Sequence, residues 1–214
     1  MAIKQKILAL CLFQPSGKPW DVGRKWLGDY QASPSNVNLP KYKNAVQIMF
    51  QKFGDSHVSF ADLCTKVDKK GKVDPCILIV TDKHIFKYYA KSFKLNKVGV
   101  PLSAVKEVFL STSKDSYVVI QNEPPYRDIV VNMGTNMEVG EQYSELATVL
   151  AEEGKKVTFA KEITFNNSRG PTPKQVGKDV KMVFFAKAAA TPGCDFKLQG
   201  QVATVSYPEK VSYE

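Results

Sequence analysis

Residues 76–90 read Cys76-Ile77-Leu78-Ile79-Val80-Thr81-Asp82-Lys83-His84-Ile85-Phe86-Lys87-Tyr88-Tyr89-Ala90, and this stretch decides the fold class. An uncharged run, a polar turn at Thr81 to His84 and a second β-branched and aromatic run from Ile85 to Ala90 spell an antiparallel hairpin. Cys76 to Thr81 shows no polar alternation, so that strand is read as buried. Further strand-like runs surround it: 58–67 before it, then 93–100, 105–112, 117–122 and 128–133 after it. Seven short strands at close spacing are the pattern of a small barrel or sandwich.

A helix closes that series. Thr135-Asn136-Met137-Glu138 fits a capping box, and Val139, Tyr143, Leu146 and Leu150 then form one apolar stripe before a stop at Gly154. Seven strands followed by one amphipathic helix is the pleckstrin-homology layout. Upstream, Trp20 to Tyr30 and Pro40 to Phe53 carry helical spacing, separated by a Ser, Pro and Asn loop over 32–39. Downstream, residues 157–165, 180–186 and 196–207 read as three more strands, with a mobile Asn, Pro and Gly loop over 166–177. The expected class is α+β, mainly β: a pleckstrin-homology-like seven-stranded barrel or sandwich capped by a C-terminal helix, with N-terminal helices and an additional C-terminal strand segment.

The 214 residues carry a formal charge of +9, from 30 Lys and Arg against 21 Asp and Glu. Only Arg24, Arg127 and Arg169 are arginines, so the excess is lysine. Lysine is a hydrated point charge suited to diffuse attraction, whereas bidentate reading of bases or phosphates calls for arginine. That balance points to an anionic lipid surface and away from nucleic acid. The charge is also uneven: residues 66–97 carry +6 and residues 98–154 carry −6. A domain polarised in this way orients itself on a charged surface.

Several functions lose their chemical basis. Cys11, Cys64, Cys76 and Cys194 form no CxxC pair, and with His57 and His84 as the only histidines a metal site lacks ligands. The cysteines are read as reduced thiols of an intracellular protein. There is no Gly-rich phosphate loop, HExxH or GxSxG motif, so no enzyme and no cofactor is expected. The apolar run Ile7 to Phe13 has no cleavage pattern after it and falls short of the roughly 18 residues of a membrane span, so membrane contact is expected to be peripheral. His84, within a lysine-rich hairpin, is read as a candidate pH modulator of that contact.

Two segments carry a family resemblance. Trp20-Asp21-Val22-Gly23-Arg24-Lys25-Trp26-Leu27-Gly28-Asp29-Tyr30 resembles the W-x-x-G-R-x-W-x-G-D-Y opening of the class I myosin tail homology domain. Residues 58–81 are similar to that domain's first two core strands, and Leu110 to Asp115 is similar to its S-T-x-x-D segment. The resemblance covers about residues 19–208. It implies a non-catalytic pleckstrin-like module that binds acidic phospholipids, phosphatidylserine and phosphoinositides among them, through the basic loop between the first two core strands. Lys66, Lys69, Lys70 and Lys72 occupy that loop, with Lys83, Lys87 and Lys91 on the adjoining hairpin and Lys94 and Lys97 beyond. Family members commonly carry an arginine at the start of the second strand. Cys76 stands near that place here, which shifts the expected mechanism from a fitted head-group pocket toward adhesion governed by charge density.

The expected organisation is a lead segment 1–18, a tail homology domain 19–208 and a tail 209–214. Within the domain, 19–55 is the helical part, 56–154 the pleckstrin-like core and 155–208 the β extension. The resemblance places such a protein in the cytoplasm, peripheral at plasma or endocytic membranes and in the actin-rich cortex. The second reading is a protein-interaction module docking on actin or another acidic cytoskeletal partner, with the acidic helix 138–153 and the basic C-terminal strands as docking faces.

Overall fold

Double burial of one strand organises the molecule. In the computed structural model, which describes residues 2–20, 26–31, 39–96, 98–134, 141–170, 172, 174–187 and 194–208, strand β2 (Val73–Thr81) sends alternate side chains into two different cores. Leu78 and Val80 pack into a barrel interior with Leu146 and Leu150 of helix α3 (Glu141–Glu152). Ile77 and Ile79 face the other way, onto Tyr42, Val46 and Met49 of helix α2 (Leu39–Phe53). The continuous apolar run is thus required, because neither face of residues 76–81 meets water.

The remaining strands are β1 (Val58–Val67), β3 (His84–Tyr89), β4 (Val100–Pro101), β5 (Val105–Ser111), β6 (Tyr117–Asn122), β7 (Ile129–Asn132) and β8 (Val157–Ala160). With β2 they form one eight-stranded sheet in the order β4-β3-β2-β1-β7-β6-β5-β8. β1 to β7 are paired antiparallel, and β8 is added parallel to β5. A second sheet runs β11 (Asp195–Gln199), β12 (Val202–Pro208), β10 (Val180–Lys187), β9 (Glu162–Phe165). It packs Ile163, Phe165, Met182 and Val205 against the outer face of β6 at Tyr117 and Val119. β6 is therefore buried on both faces too, since Val118 and Ile120 point into the barrel. The fold is the mainly β, pleckstrin-like arrangement read from the sequence, with its helix over the barrel interior.

Several details differ from the sequence reading, each for a physical reason. Trp26 to Tyr30 is not helical: Gly28 sits at φ +72°, Trp26 enters the barrel core and Tyr30 enters the α2 core, so the four-residue spacing marks two cores and no helix face. Residues 21–25 of that segment, Arg24 among them, and the capping box at 135–138 lie outside the described residues. Of the run 93–100, only Val100 joins a strand; Leu95 makes a single bridge to Tyr88, and Lys97 lies outside the described residues. The run 157–165 breaks at Lys161 so that β8 serves one sheet and β9 the other. The run 196–207 folds back at Gly200, whose φ of +61° suits the tight turn between β11 and β12.

The sequence reading assigned no element to the apolar N-terminal run, which forms helix α1 (Ala2–Phe13). α1 buries Ala9 and Phe13 and packs along α3. Its cover explains why α3 buries Ser144, Glu145 and Thr148 besides its apolar stripe. The Thr148 hydroxyl donates to the Ser144 carbonyl at 2.7 Å, and Tyr30 donates its hydroxyl to Glu145. No helix among the described residues is long and apolar enough to cross a membrane.

Candidate functional site

The β1–β2 connection is a short turn whose conformation is set by one carboxylate. Asp68 Oδ1 accepts the backbone N–H groups of Lys70 at 2.7 Å and Lys72 at 2.9 Å, and the Asp68 N–H donates to the Lys72 carbonyl. Gly71 completes the turn at φ +81°. Satisfying these amides locally fixes the backbone and leaves the lysine side chains pointing outward.

The four lysines are not equivalent. Asp74, at the start of β2, takes two of them: Lys72 Nζ at 2.7 Å and Lys66 Nζ at 3.7 Å. The hydrogen bond from Lys72 holds the Asp74 carboxyl below its ordinary range, and the same bond raises Lys72. Lys66 is mostly covered, its ammonium also lying 5.6 Å from the ring centre of half-exposed Tyr89. Lys69 and Lys70 are exposed at the tip, with no carboxylate partner among the described residues.

Hairpin geometry sorts the other candidates. β1 runs toward this turn, β2 returns, and β3 runs toward it again, so Lys91 and Lys94 beyond β3 come back to the same end, both exposed. Lys87 is half-buried on β3 opposite Leu78, on the barrel-interior face with Ile85. Lys83 goes elsewhere. It lies in the β2–β3 turn at the opposite end and donates to the Gly54 carbonyl. His84 is at that far end as well, its Nδ1 2.9 Å from buried Asp55, which also accepts the Thr81 hydroxyl at 2.6 Å. That placement separates His84 from the lysine turn and gives it a structural partner.

Cys64 and Cys76 face each other across the β1–β2 ladder, with their sulfurs 3.1 Å apart just inside the lysine end. Their hydrogen bond, then burial, pushes Cys64 up. The same bond pulls Cys76 down against burial, with the charges of Lys87 and Lys66 adding to it.

Two contributors escaped the sequence reading. Asn167, in the loop read as mobile, is buried and donates its amide to the carbonyls of Asp68 at 3.0 Å and Val67 at 3.3 Å. Arg169 donates to the carbonyls of Asn122 at 2.9 Å and Tyr126 at 2.7 Å. Together they join the β1–β2 turn to the β6–β7 loop at one end of the barrel. The signal was present only as composition: Asn and Arg side chains serve as backbone bridges as readily as they serve loops. Tyr89 was also overlooked, although strict alternation sets it on the face opposite buried Tyr88.

A pleckstrin-like core, Trp26 and Tyr30 buried in its two adjoining cores, and a lysine turn at the barrel mouth stand together in this chain. Residues 18–208 match the family described as the unconventional myosin tail, actin- and lipid-binding. The chain belongs to this family. It is 38% identical to the myosin IF heavy chain of Dictyostelium discoideum over 177 residues, covering 78% of this chain and 16% of that protein. It is 34% identical to the myosin IE heavy chain of the same organism over 218 residues, covering 97% and 21%. Mouse unconventional myosin-Ig is 26% identical over 161 residues, covering 72% and 16%. The chain thus spans about a sixth to a fifth of these relatives.

Among solved structures it is similar to the hSac2 domain of the human phosphoinositide phosphatase Sac2, with TM-score 0.40 and 9% identity over 59% of this chain and 92% of that one. It is also similar to the linker-DH/PH domains of p115-RhoGEF, with TM-score 0.39 and 13% identity over 71% and 41%. At such scores the fold assignment rests on this chain's own strand order and capping helix. A myosin tail domain is a non-motor, binding part of its protein.

Proposed function

We propose that residues 19–208 act as one non-catalytic unit that holds a myosin I-type protein at acidic phospholipid, with the β1–β2 turn as the contact. The observation that carries this is the pair Lys69 and Lys70, unpartnered among the described residues at the tip of a turn locked by Asp68 and braced by Asn167. Lys91 and Lys94 extend the basic end, and Lys87 lies in the strand that leads to it. Phosphatidylserine and phosphoinositides both meet it by charge, and attachment is peripheral, at plasma or endocytic membranes.

Magnitudes support adhesion by charge density. Each lysine near an anionic leaflet contributes about 1 kcal/mol. Asp68 and Asp74 offset two of the four turn lysines, leaving about 2 kcal/mol from the turn and about 2 more from Lys91 and Lys94 if both engage. A total of about 4 kcal/mol corresponds to an affinity of roughly 1 mM. Such binding depends on lipid charge density and weakens with salt.

The test is co-sedimentation with phosphatidylserine vesicles across a salt series, comparing wild type with Lys66, Lys69, Lys70 and Lys72 changed together to Ala. Undiminished binding of the variant would place the contact on another face. Actin is the second reading, supported by the family's description as actin- and lipid-binding. On the acidic helix Glu145 is buried, so Glu152 and Glu153 at its exposed C-terminal end are the carboxylates open to such docking among the described residues. Co-sedimentation with actin filaments over the same salt series discriminates the two.

A further inference from the structure

The second sheet spans the molecule from the lysine turn to the opposite end. At the turn end, Leu198 packs beside Gly71, and a Cβ built on that glycine would lie 2.5 Å from the leucine Cβ. At the far end, a cavity of about 520 Å³ opens between the two sheets. The β5–β6 turn contributes Thr112, Ser113 and Lys114 to it, the corner between β8 and β9 contributes Lys161, and the second sheet contributes Phe184 and Tyr207. The size lies within the roughly 300–1,000 Å³ of small-ligand sites.

The cavity is cationic. None of its lining residues is acidic. The nearby carboxylate, Asp115, is buried and engaged: Lys18 Nζ lies 3.6 Å away and the Tyr117 N–H donates to it at 2.8 Å. Lys18 in turn donates to the Ser113 carbonyl at 2.6 Å, so this buried pair cancels and braces the turn from beneath. Lys114 and Lys161, both exposed, have no carboxylate partner among the described residues and set the sign of the site. The hydroxyls of Thr112, Ser113 and Tyr207 are uncommitted among the described residues, and Phe184 offers an apolar wall.

We propose that this cavity binds the phosphomonoester group of a small molecule. Lys114 and Lys161 balance its two charges, the three hydroxyls donate to its oxygens, and the esterified body lies against Phe184. Two cations with three donors exceed what a carboxylate needs and match a dianion with three terminal oxygens. The site is separate from the lysine turn, since the six residues of β6 set the two ends about 20 Å apart. The phosphate can be soluble or borne on a lipid head group.

NMR titration of the whole chain with phenyl phosphate, inorganic phosphate and benzoate tests this. Phenyl phosphate is expected to shift the amides of 112–114 and 161, and to bind more tightly at pH 7.5 than at pH 5.5 as its second proton leaves near pH 6. Changing Lys114 and Lys161 together to Ala should weaken it at least about tenfold, as expected for losing charge-assisted bonds. Phosphatidylserine vesicle binding by that variant should be unchanged, which also reports that it is folded. The Lys69→Ala/Lys70→Ala variant should keep the phosphate site, so the two sites fail independently. In that background, phosphatidic acid vesicles competing with phenyl phosphate assign a lipid-borne phosphate, and competition by inorganic phosphate alone assigns a soluble one. Equal binding of benzoate, shifts confined to other residues, or a double variant that binds normally overturns the proposal.

Discussion

Asp74 decides how much of the lysine turn is available to a membrane. It holds Lys72 and Lys66, so these two lysines reach lipid only by giving up an ion pair, whereas Lys69 and Lys70 have no carboxylate to give up among the described residues. Lys69→Ala/Lys70→Ala is therefore expected to cost more vesicle affinity than Lys66→Ala/Lys72→Ala. Asp74→Asn should raise affinity about fivefold, the equivalent of one lysine released, and the gain should vanish at high salt. Equilibrium binding to phosphatidylserine vesicles at two ionic strengths checks both. The thiols offer a second residue-scale readout. Burial pushes Cys194 up to about 11, while Cys11 is exposed. A raised pKa leaves less thiolate at neutral pH, so alkylation of folded Cys194 should accelerate about tenfold per pH unit up to near 11. Mass spectrometry of timed alkylation should find Cys11 modified first at pH 8.

Among the elements, the β1–β2 hairpin depends on what lies behind it. Gly71 is at φ +81° with Leu198 in the path of any Cβ, so Gly71→Ala combines backbone strain with a clash and should lower the denaturation midpoint. Asn167→Ala leaves the Val67 and Asp68 carbonyls without their side-chain donor and should speed hydrogen exchange in the turn while the core strands stay protected. In β2, Ile79→Ala opens a cavity under α2 and should cost about 2–5 kcal/mol in urea unfolding. The run 76–81 announced its burial in the sequence because a strand covered on both faces cannot afford polar alternation. The bracing of the turn was not legible, because an asparagine that bridges two carbonyls looks the same in sequence as one in a solvated loop.

On the scale of the whole molecule, two sheets and three α-helices share three cores among the described residues, and the buried pair Lys18 and Asp115 joins the segment after α1 to the β5–β6 turn. Burial lowers Lys18 against the pull of Asp115. Lys18→Met leaves the carboxylate buried and unpaired and should cost about 3–5 kcal/mol. Lys18→Met with Asp115→Asn should recover part of that in the same denaturation assay. The charged surfaces separate along the molecule: the lysine turn and its neighbours at one end, the Lys114 and Lys161 cavity at the other.

The sequence by itself determined most of the barrel strands, the capping helix, the family resemblance and the lysine-rich segment, because hydrophobic period and charge are properties of the local chain. Only the tertiary structure decided which lysines act together. Lys83 and Lys87 are four residues apart, yet the hairpin carries Lys83 to the far end and leaves Lys87 in the strand that leads to the mouth. Asp74 and Lys72 are near neighbours in sequence, but their pairing, and with it the standing of Lys69 and Lys70 as the turn cations without a carboxylate partner among the described residues, follows from ladder register and from Asp68 folding the turn. The cavity between the sheets is a product of the two sheets meeting at Lys161, a corner at which one apolar run is divided between them. Pairing of strands distant in the chain is a global solution to burial, so charges that share a surface are known only once that burial is complete.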